Sequence, residues 1–325
     1  MTWTRRSFTR LLSAAAATAL SPAAWAQPGA IRLVLGYPAG ASSDALTRVV
    51  GEQMGKTLGQ TVIVDNKAGA GGRLANEFVK AAAADGGTLL VTPVATMSIF
   101  PHSYAGQLRY DPFKDFAPVA HLANFQIGLA VNAQVPVKTL AEYVAWVKAD
   151  PGKNGFYASA AAGSLPHFFG VMFAKSAGIA LTHVPYKGTA PAMQALAAGE
   201  VAALSTVVAD IQSVVDAGKA RILAVAGEQR DPSVPNVPTF KELGFELVAQ
   251  PWYAMFAPAG TPNAVIERTA KAAIAAVNDP ATRKRLLDMH LQPTGFGPER
   301  LAKIVQDDYE RWGPVIRASG FKPEQ

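Results

Sequence analysis

Residues 31 to 44 read Ile31-Arg32-Leu33-Val34-Leu35-Gly36-Tyr37-Pro38-Ala39-Gly40-Ala41-Ser42-Ser43-Asp44. Five residues of β-prone character end at a glycine. A proline and small residues follow, and then Leu46, Val50 and Met54 recur at helical spacing. The stretch therefore predicts strand, loop and helix, with Ser42 or Ser43 as the helix cap. The same grammar continues outward. Thr61 to Val64 reads as a second strand, Leu74, Phe78 and Val79 carry helical spacing, and Thr88 to Val91 reads as a third strand. Strand, helix, strand, helix, strand in this order predicts an α/β domain with a parallel sheet covered on both faces.

The middle of the chain repeats the pattern. Strands are expected at Ile127–Val131, Phe156–Ala158, Ala180–Val184, Val201–Val207 and Ile222–Val225. Thr139 caps a helix that stops at Pro151-Gly152, and another helix runs from Pro166 to Ala177. This predicts a second α/β domain. The C-terminal part reads as helical. Ile266, Ala270, Ile274 and Val277 form one stripe, Asp279-Pro280 starts a second helix, and Leu301, Ile304, Val305, Trp312 and Ile316 form a third stripe. These helices need a sheet to cover.

Composition narrows the function classes. The 325 residues contain no cysteine, which excludes disulfides, thiolate metal sites and a cysteine nucleophile. The formal charge is +6, but part of it belongs to an export signal. Arg5, Arg6 and Arg10 precede an apolar run from Leu11 to Ala24, and Ala24-Trp25-Ala26 offers a cleavage site. Thr4-Arg5-Arg6-Ser7-Phe8 resembles a twin-arginine signal. The apolar run is shorter than the ~20 residues a membrane-spanning helix needs. Cleavage after Ala26 leaves 299 residues and a charge of +3, and places the protein in a bacterial periplasm. No clustered basic stripe marks a nucleic-acid surface.

Four loops stand between strands and helices. The first, Tyr37 to Asp44, places backbone amides at a helix N-terminus, where an anion is held without arginine. The second, Asn66 to Arg73, has Gly69 and Gly71 but Leu74 where a dinucleotide fingerprint needs glycine, so tight backbone packing is its expected role. Gly51 to Thr57 has only three residues between its glycines and is no P-loop. The third loop spans Ser159 to His167, and the fourth spans Val184 to Ala192. No G-x-S-x-G elbow is present, and the five histidines lack metal spacing. Ser164 and His167 form a serine and histidine pair that raises a hydrolase reading, with no orienting carboxylate beside them.

These strings together resemble the Bug family of extracytoplasmic solute receptors, which serve tripartite tricarboxylate transporters and are also called TctC-like. They are Tyr37-Pro38-Ala39-Gly40 through Asp44, Asn66 through Gly72, Asp85-Gly86-x-Thr88-Leu89-Leu90, Val184 through Gly188, Pro238-Thr239-Phe240 with Glu242 and Gly244, and Phe256 through Pro262. They span nearly the whole mature chain in the expected order.

The resemblance implies a type II periplasmic binding-protein fold. Two α/β lobes are joined by two crossover segments, near Asn124–Ile127 and Val248–Trp252, with a ligand cleft between them. Lobe 1 comprises residues 27–125 and 250–325, and lobe 2 comprises 126–249. The implied function is capture of a small organic carboxylate for the membrane permease subunits, by a monomer that needs no cofactor and no metal and is not an enzyme. Implied ligand contacts on lobe 1 are Tyr37, Gly40, Ala41, Ser42, Ser43 and Asp44, with Thr92 assisting. On lobe 2 they are Ser159, Gly163, Ser164, His167, Tyr186 and Asp210. Departures from the family pattern bear on the ligand. Ala41 stands where a second glycine is usual, Ala75 replaces a glycine, Gly87 replaces an aromatic, and Ala160 to Ala162 leave the third loop with few side-chain handles. A receptor feeding a signalling partner, and a secreted serine hydrolase using His167, are the alternatives.

Overall fold

The computed structural model describes residues 29–323, so the export segment expected at 1–26 lies outside the described residues. The opening strand β1 (Ile31–Leu35) runs into helix α1 (Ser42–Leu58). Strand β2 (Val62–Asn66), helix α2 (Arg73–Lys80) and strand β3 (Thr88–Pro93) follow. Both β2 and β3 pair with β1 in parallel, with Leu33 facing Val64 and Leu89 in register. The parallel reading stops there. Strands β4 (Phe116–Asn124), β10 (Trp252–Pro258) and β11 (Gln292–Phe296) complete a six-stranded mixed sheet in the order β11-β4-β10-β3-β1-β2. Strand β10 is antiparallel to both β3 and β4.

None of these three added strands was expected from the sequence. All seven residues of β10 are buried, so it lacks alternation. Strand β11 carries Pro293 and Gly295 and lies at the sheet edge, the place a sheet tolerates them. The reading of the C-terminal part as helical is corrected by this strand.

The second sheet has five strands in the order β7-β6-β8-β5-β9. Its strands are β5 (Ile127–Asn132), β6 (Phe156–Ser159), β7 (Thr182–Pro185), β8 (Ala203–Val207) and β9 (Ala220–Val225). Helices α3 (Leu140–Ala149), α4 (Leu165–Ala177), α5 (Thr189–Ala198) and α6 (Val208–Asp216) connect them. Thr139 forms a full capping box with Glu142, as its position predicts. The chain passes between the sheets from Asn124 to Ile127 and again ahead of Trp252.

Three C-terminal helices cover the first sheet: α7 (Asn263–Asn278), α8 (Pro280–Asp288) and α9 (Pro298–Ser319). Asp279 caps α8 through the Thr282 amide. Buried Leu301, Val305, Trp312 and Ile316 turn α9 inward, and Trp252 Nε1 donates to Asp308 at 2.7 Å. Among the described residues no helix is long and apolar enough to cross a membrane.

Two details depart from the local expectations. Ala41, and neither serine, is the N-cap of α1, and no side chain caps that helix. On α2, Val79 is buried with Ala75 and Asn76, whereas Leu74 and Phe78 are exposed at 49% and 39%. The glycine-rich second loop does serve tight packing. A Cβ on Gly36 would sit 2.5 Å from the Gly72 Cα, inside any allowed contact, and Gly72 itself has φ of 100°.

Two histidines, His121 and His167, are buried, and His183 is half-buried beside His167. His121 is 1% exposed, bonds Thr294 through Nδ1, and lies between Trp252 and Phe296. Burial, aided by Arg300, pushes it down to about 4. His167 stacks on His183 with ring centroids 3.9 Å apart. Burial pushes His167 down to about 4, and burial together with the neighbouring His167 pushes His183 down to about 3.

Two outcomes follow from this packing. Gly36→Ala should lower stability by about 1–3 kcal/mol, because the clash is with backbone and not with a flexible side chain. Urea denaturation should show a lower midpoint at unchanged slope. The buried histidines stay neutral in the folded protein while the unfolded chain takes up protons below about 6.5. Stability should therefore be complete above that pH and fall as pH drops toward 4, by roughly 1 kcal/mol per pH unit for each histidine. Thermal midpoints flat across this window would contradict their neutral burial.

Candidate functional site

The β1–α1 loop is held in shape by one carboxylate. Asp44 Oδ2 accepts from the Gly40 amide at 3.1 Å and from Arg48 Nε at 3.0 Å, and Oδ1 accepts from Asn66 Nδ2 at 3.0 Å. The other Asn66 N–H bond goes to the Tyr37 carbonyl, and the Tyr37 hydroxyl donates to the Gly71 carbonyl. Burial alone would raise the Asp44 carboxyl, but the bonds from Arg48, Asn66 and Gly40 hold it below its ordinary value. Gly40 has φ of 94°, a conformation that favours glycine.

Ala41 caps α1 without a side-chain oxygen, and while the Asp44 amide donates to the Ala41 carbonyl at 3.0 Å, the Ser42 and Ser43 amides find no acceptor within their own helix. The Ser42 amide instead donates to Asp210 Oδ1 at 2.9 Å, from the second sheet's helix α6. Burial pushes the Asp210 carboxyl up, against the bonds from Ser42 that lower it. Ser42 Oγ lies 3.4 Å from the Tyr253 hydroxyl. Ser43 is 3% exposed, and its amide and hydroxyl have no partner among the described residues.

The third loop is tied inward in the same manner. Ser159 Oγ donates to the Ala161 carbonyl and bonds His183 Nε2 at 2.7 Å. Ser164 Oγ donates to the same carbonyl at 2.7 Å and caps α4 by accepting from the His167 amide. His167 Nδ1 accepts from the Gly163 amide at 3.0 Å. The His167 ring therefore orients the loop and is not engaged with Ser164 Oγ, so the sequence pair does not form a nucleophile and base. Tyr104, from the first lobe, donates its hydroxyl to the Ala162 carbonyl.

A narrow cavity of about 80 Å³ lies between the two sheets' loops. Tyr37, Ala41, Ser43, Pro93 and Tyr253 wall one side. Ala161, Ser164, Leu165, Thr206 and Asp210 wall the other. Phe125, in the first crossing segment, also lines the cavity and stacks on Tyr253 with ring centroids 4.4 Å apart. Thr206 is 3% exposed, and its hydroxyl has no partner among the described residues. An outer pocket of about 590 Å³ shares Tyr37, Ala41, Thr189 and Asp210 with it, and Gly40 and Ser42 line that outer space. Among the described residues no lysine or arginine lines either space. Among the described residues no group of three or more acidic, histidine or cysteine side chains is arranged to hold a metal.

Seven of the sequence-expected residues thus border these spaces: Tyr37, Gly40, Ala41, Ser42, Ser43, Ser164 and Asp210. The other six lie behind the walls. Asp44, Ser159, Gly163 and His167 shape the loops, as described. Thr92 is 1% exposed and bonds Thr96 at 2.7 Å. Tyr186 packs against the second lobe's alanine and leucine cluster. Thr189, Thr206, Phe125 and Tyr253 line the inner cavity without having been expected. Thr206 stands at the end of a strand that was expected, which was a usable signal. Tyr253 sits on the unexpected strand β10 and gave none.

The model of the tripartite tricarboxylate transporter family receptor matches residues 46–321. A protein from Cupriavidus necator, described as UPF0065 protein in gbd 5'region, is 35% identical over 91% of this chain and 89% of its own. Protein BugT of Bordetella pertussis is 31% identical over 90% of each chain. MatC from Rhodopseudomonas palustris, solved with bound malate, superposes at a TM-score of 0.82 with 33% identity, covering 88% of this chain and 98% of its own. Rpa4515 of R. palustris, solved with adipate, gives 0.87 with 28% identity over 91% and 99%. With a mixed α/β fold in two lobes and a family match over most of its length, this chain belongs to the tripartite tricarboxylate transporter receptor family of periplasmic solute-binding proteins.

Proposed function

We propose that this receptor captures a small organic carboxylate in the cavity between its lobes and delivers it to the membrane subunits of a tripartite-type transporter. The observation that carries this reading is the Ser43 amide and hydroxyl with the Thr206 hydroxyl, nearly buried, unpartnered and facing one cavity. Buried donors without partners are costly, and a carboxylate satisfies several at once. The α1 N-terminus adds a partial positive charge where lysine and arginine are absent. The malate and adipate of the two R. palustris neighbours support the same ligand class.

In this reading Tyr37, Gly40, Ala41, Ser42 and Ser43 hold the carboxylate from lobe 1, residues 27–125 with 250–325. Ser164 and Thr206 meet it from lobe 2, residues 126–249, where Asp210 lines the same cavity. Asp44, Thr92, Ser159, Gly163, His167 and Tyr186 act by positioning the loops. The crossing segments near residues 124–127 and 248–252 act as the hinge, and closure stabilises the bound state. The receptor acts as a monomer, without a cofactor, in the periplasm after cleavage following Ala26.

A thermal-shift panel of mono-, di- and tricarboxylates, with malate and adipate among them, should find at least one that raises the melting temperature. Silence across the whole panel from well-folded protein would sink the proposal. For the ligand found, Ser43→Ala and Thr206→Val should each weaken binding by about tenfold in calorimetry, the loss of one hydrogen bond to a charged group.

A further inference from the structure

The contact between Asp210 and the Ser42 amide joins the two lobes through a charge. Ser42 is the first residue of a helix of 17 residues whose cap, Ala41, has no side-chain oxygen. Orphan amides of that kind are ordinarily met by a cap residue of the same helix. Here one of them is met by a carboxylate 168 residues away in sequence. Asp210 lies in the first turn of α6, whose N-cap Val207 likewise offers no side-chain oxygen. The carboxylate thus faces two uncapped helix N-termini, one from each lobe. Among the described residues no lysine or arginine pairs with it.

We propose that the Asp210 carboxylate is a built-in occupant of the lobe 1 anion site, latching the lobes together until a ligand carboxylate displaces it. The inference rests on the carboxylate reading of this site and goes further by naming an internal competitor. Two anions cannot share one set of amides in a cavity of about 80 Å³ that no cation lines. The Ser43 amide and hydroxyl and the Thr206 hydroxyl remain unpartnered beside the latch, so Asp210 fills only part of the donor set. A ligand that engages all of it outcompetes the side chain. Asp210 then selects against weak anions that cannot recover the bond it gives up.

The test needs no ligand. The chain has no cysteine, so Lys56→Cys on α1 and Lys148→Cys on α3, both exposed, accept a pair of spin labels cleanly. Distances between the labels report lobe closure in the ligand-free protein. Asp210→Ala should move the population to longer distances, with the ratio of closed to open forms dropping about tenfold, equivalent to ~1.4 kcal/mol. Ser42→Pro removes the donor from the other side. Proline is tolerated at the first helical position, and Ala41 at φ −81° and ψ 166° suits a residue before proline. It should open the protein to the same extent, and the double variant should open it no further. Distances unchanged from the parent in either single variant would overturn the latch, as would additive opening in the double variant. Adding malate and the rest of the carboxylate panel to parent and variants tests the other proposal separately. Failure of every carboxylate to bind would remove the proposed function, while the ligand-free distances would still decide the latch.

Discussion

Both oxygens of Asp44 are committed inside lobe 1, to Gly40, Arg48 and Asn66. That commitment fixes where the β1–α1 loop ends and where the first turn of α1 points. Asn66 extends the tie to the Tyr37 carbonyl, and the Tyr37 hydroxyl reaches Gly71 in the next loop. Gly36 and Gly72 let these two loops approach as closely as backbone allows. The cleft wall on lobe 1 is therefore cross-linked by its own hydrogen bonds. In the proposed carboxylate reading, a donor set already in place loses little freedom on binding, which would offset the lack of a lining cation.

Lobe 2 reaches the same end by different chemistry. Its third loop folds back on its own carbonyls through Ser159 and Ser164, with His167 accepting from Gly163. The stacked pair of His167 and His183 lies beneath it and stays neutral because burial disfavours the charge. The loop's cavity face is left to Ala160, Ala161, Leu165 and Pro166 beside Ser164, whose hydroxyl is already given to the Ala161 carbonyl. The residue types that resembled a catalytic pair are thus scaffolding, and the surface they support is nearly featureless. Polar reading on this lobe falls to Thr206 and Asp210, at the end of β8 and the start of α6.

Local patterns carried much of this in advance. The opening run from Ile31 to Asp44 predicted a strand, loop and helix, and the structure has all three in those places. Thr139 and Asp279 announced their caps, and α9 buries the stripe its spacing marked. Each of these is a short-range effect, settled by hydrogen bonds and contacts within a few residues. The misses were of another kind. Strand β10 is buried throughout, so it shows no alternation, and its neighbours β3 and β4 lie more than a hundred residues away in sequence. Ser42 and Ser43 looked like caps by type, yet Ala41 took that position, which left the Ser42 and Ser43 amides open to a partner elsewhere.

By itself the sequence determined the class of the fold, the order of the strands and helices in its first and middle parts, and the absence of thiol chemistry, and it marked the loops that border the cavity. It also carried Asp44 and Asp210 as residues of note, without distinguishing them. Only the tertiary structure did that. It turned Asp44 inward to three partners in its own lobe and brought Asp210 across to the Ser42 amide. Two carboxylates of the same residue type differ because one meets its donors within 22 residues of chain, whereas the other meets its donor 168 residues away, across the two lobes. Sequence spacing fixes local bonds, but contact between lobes depends on how the crossing segments aim them.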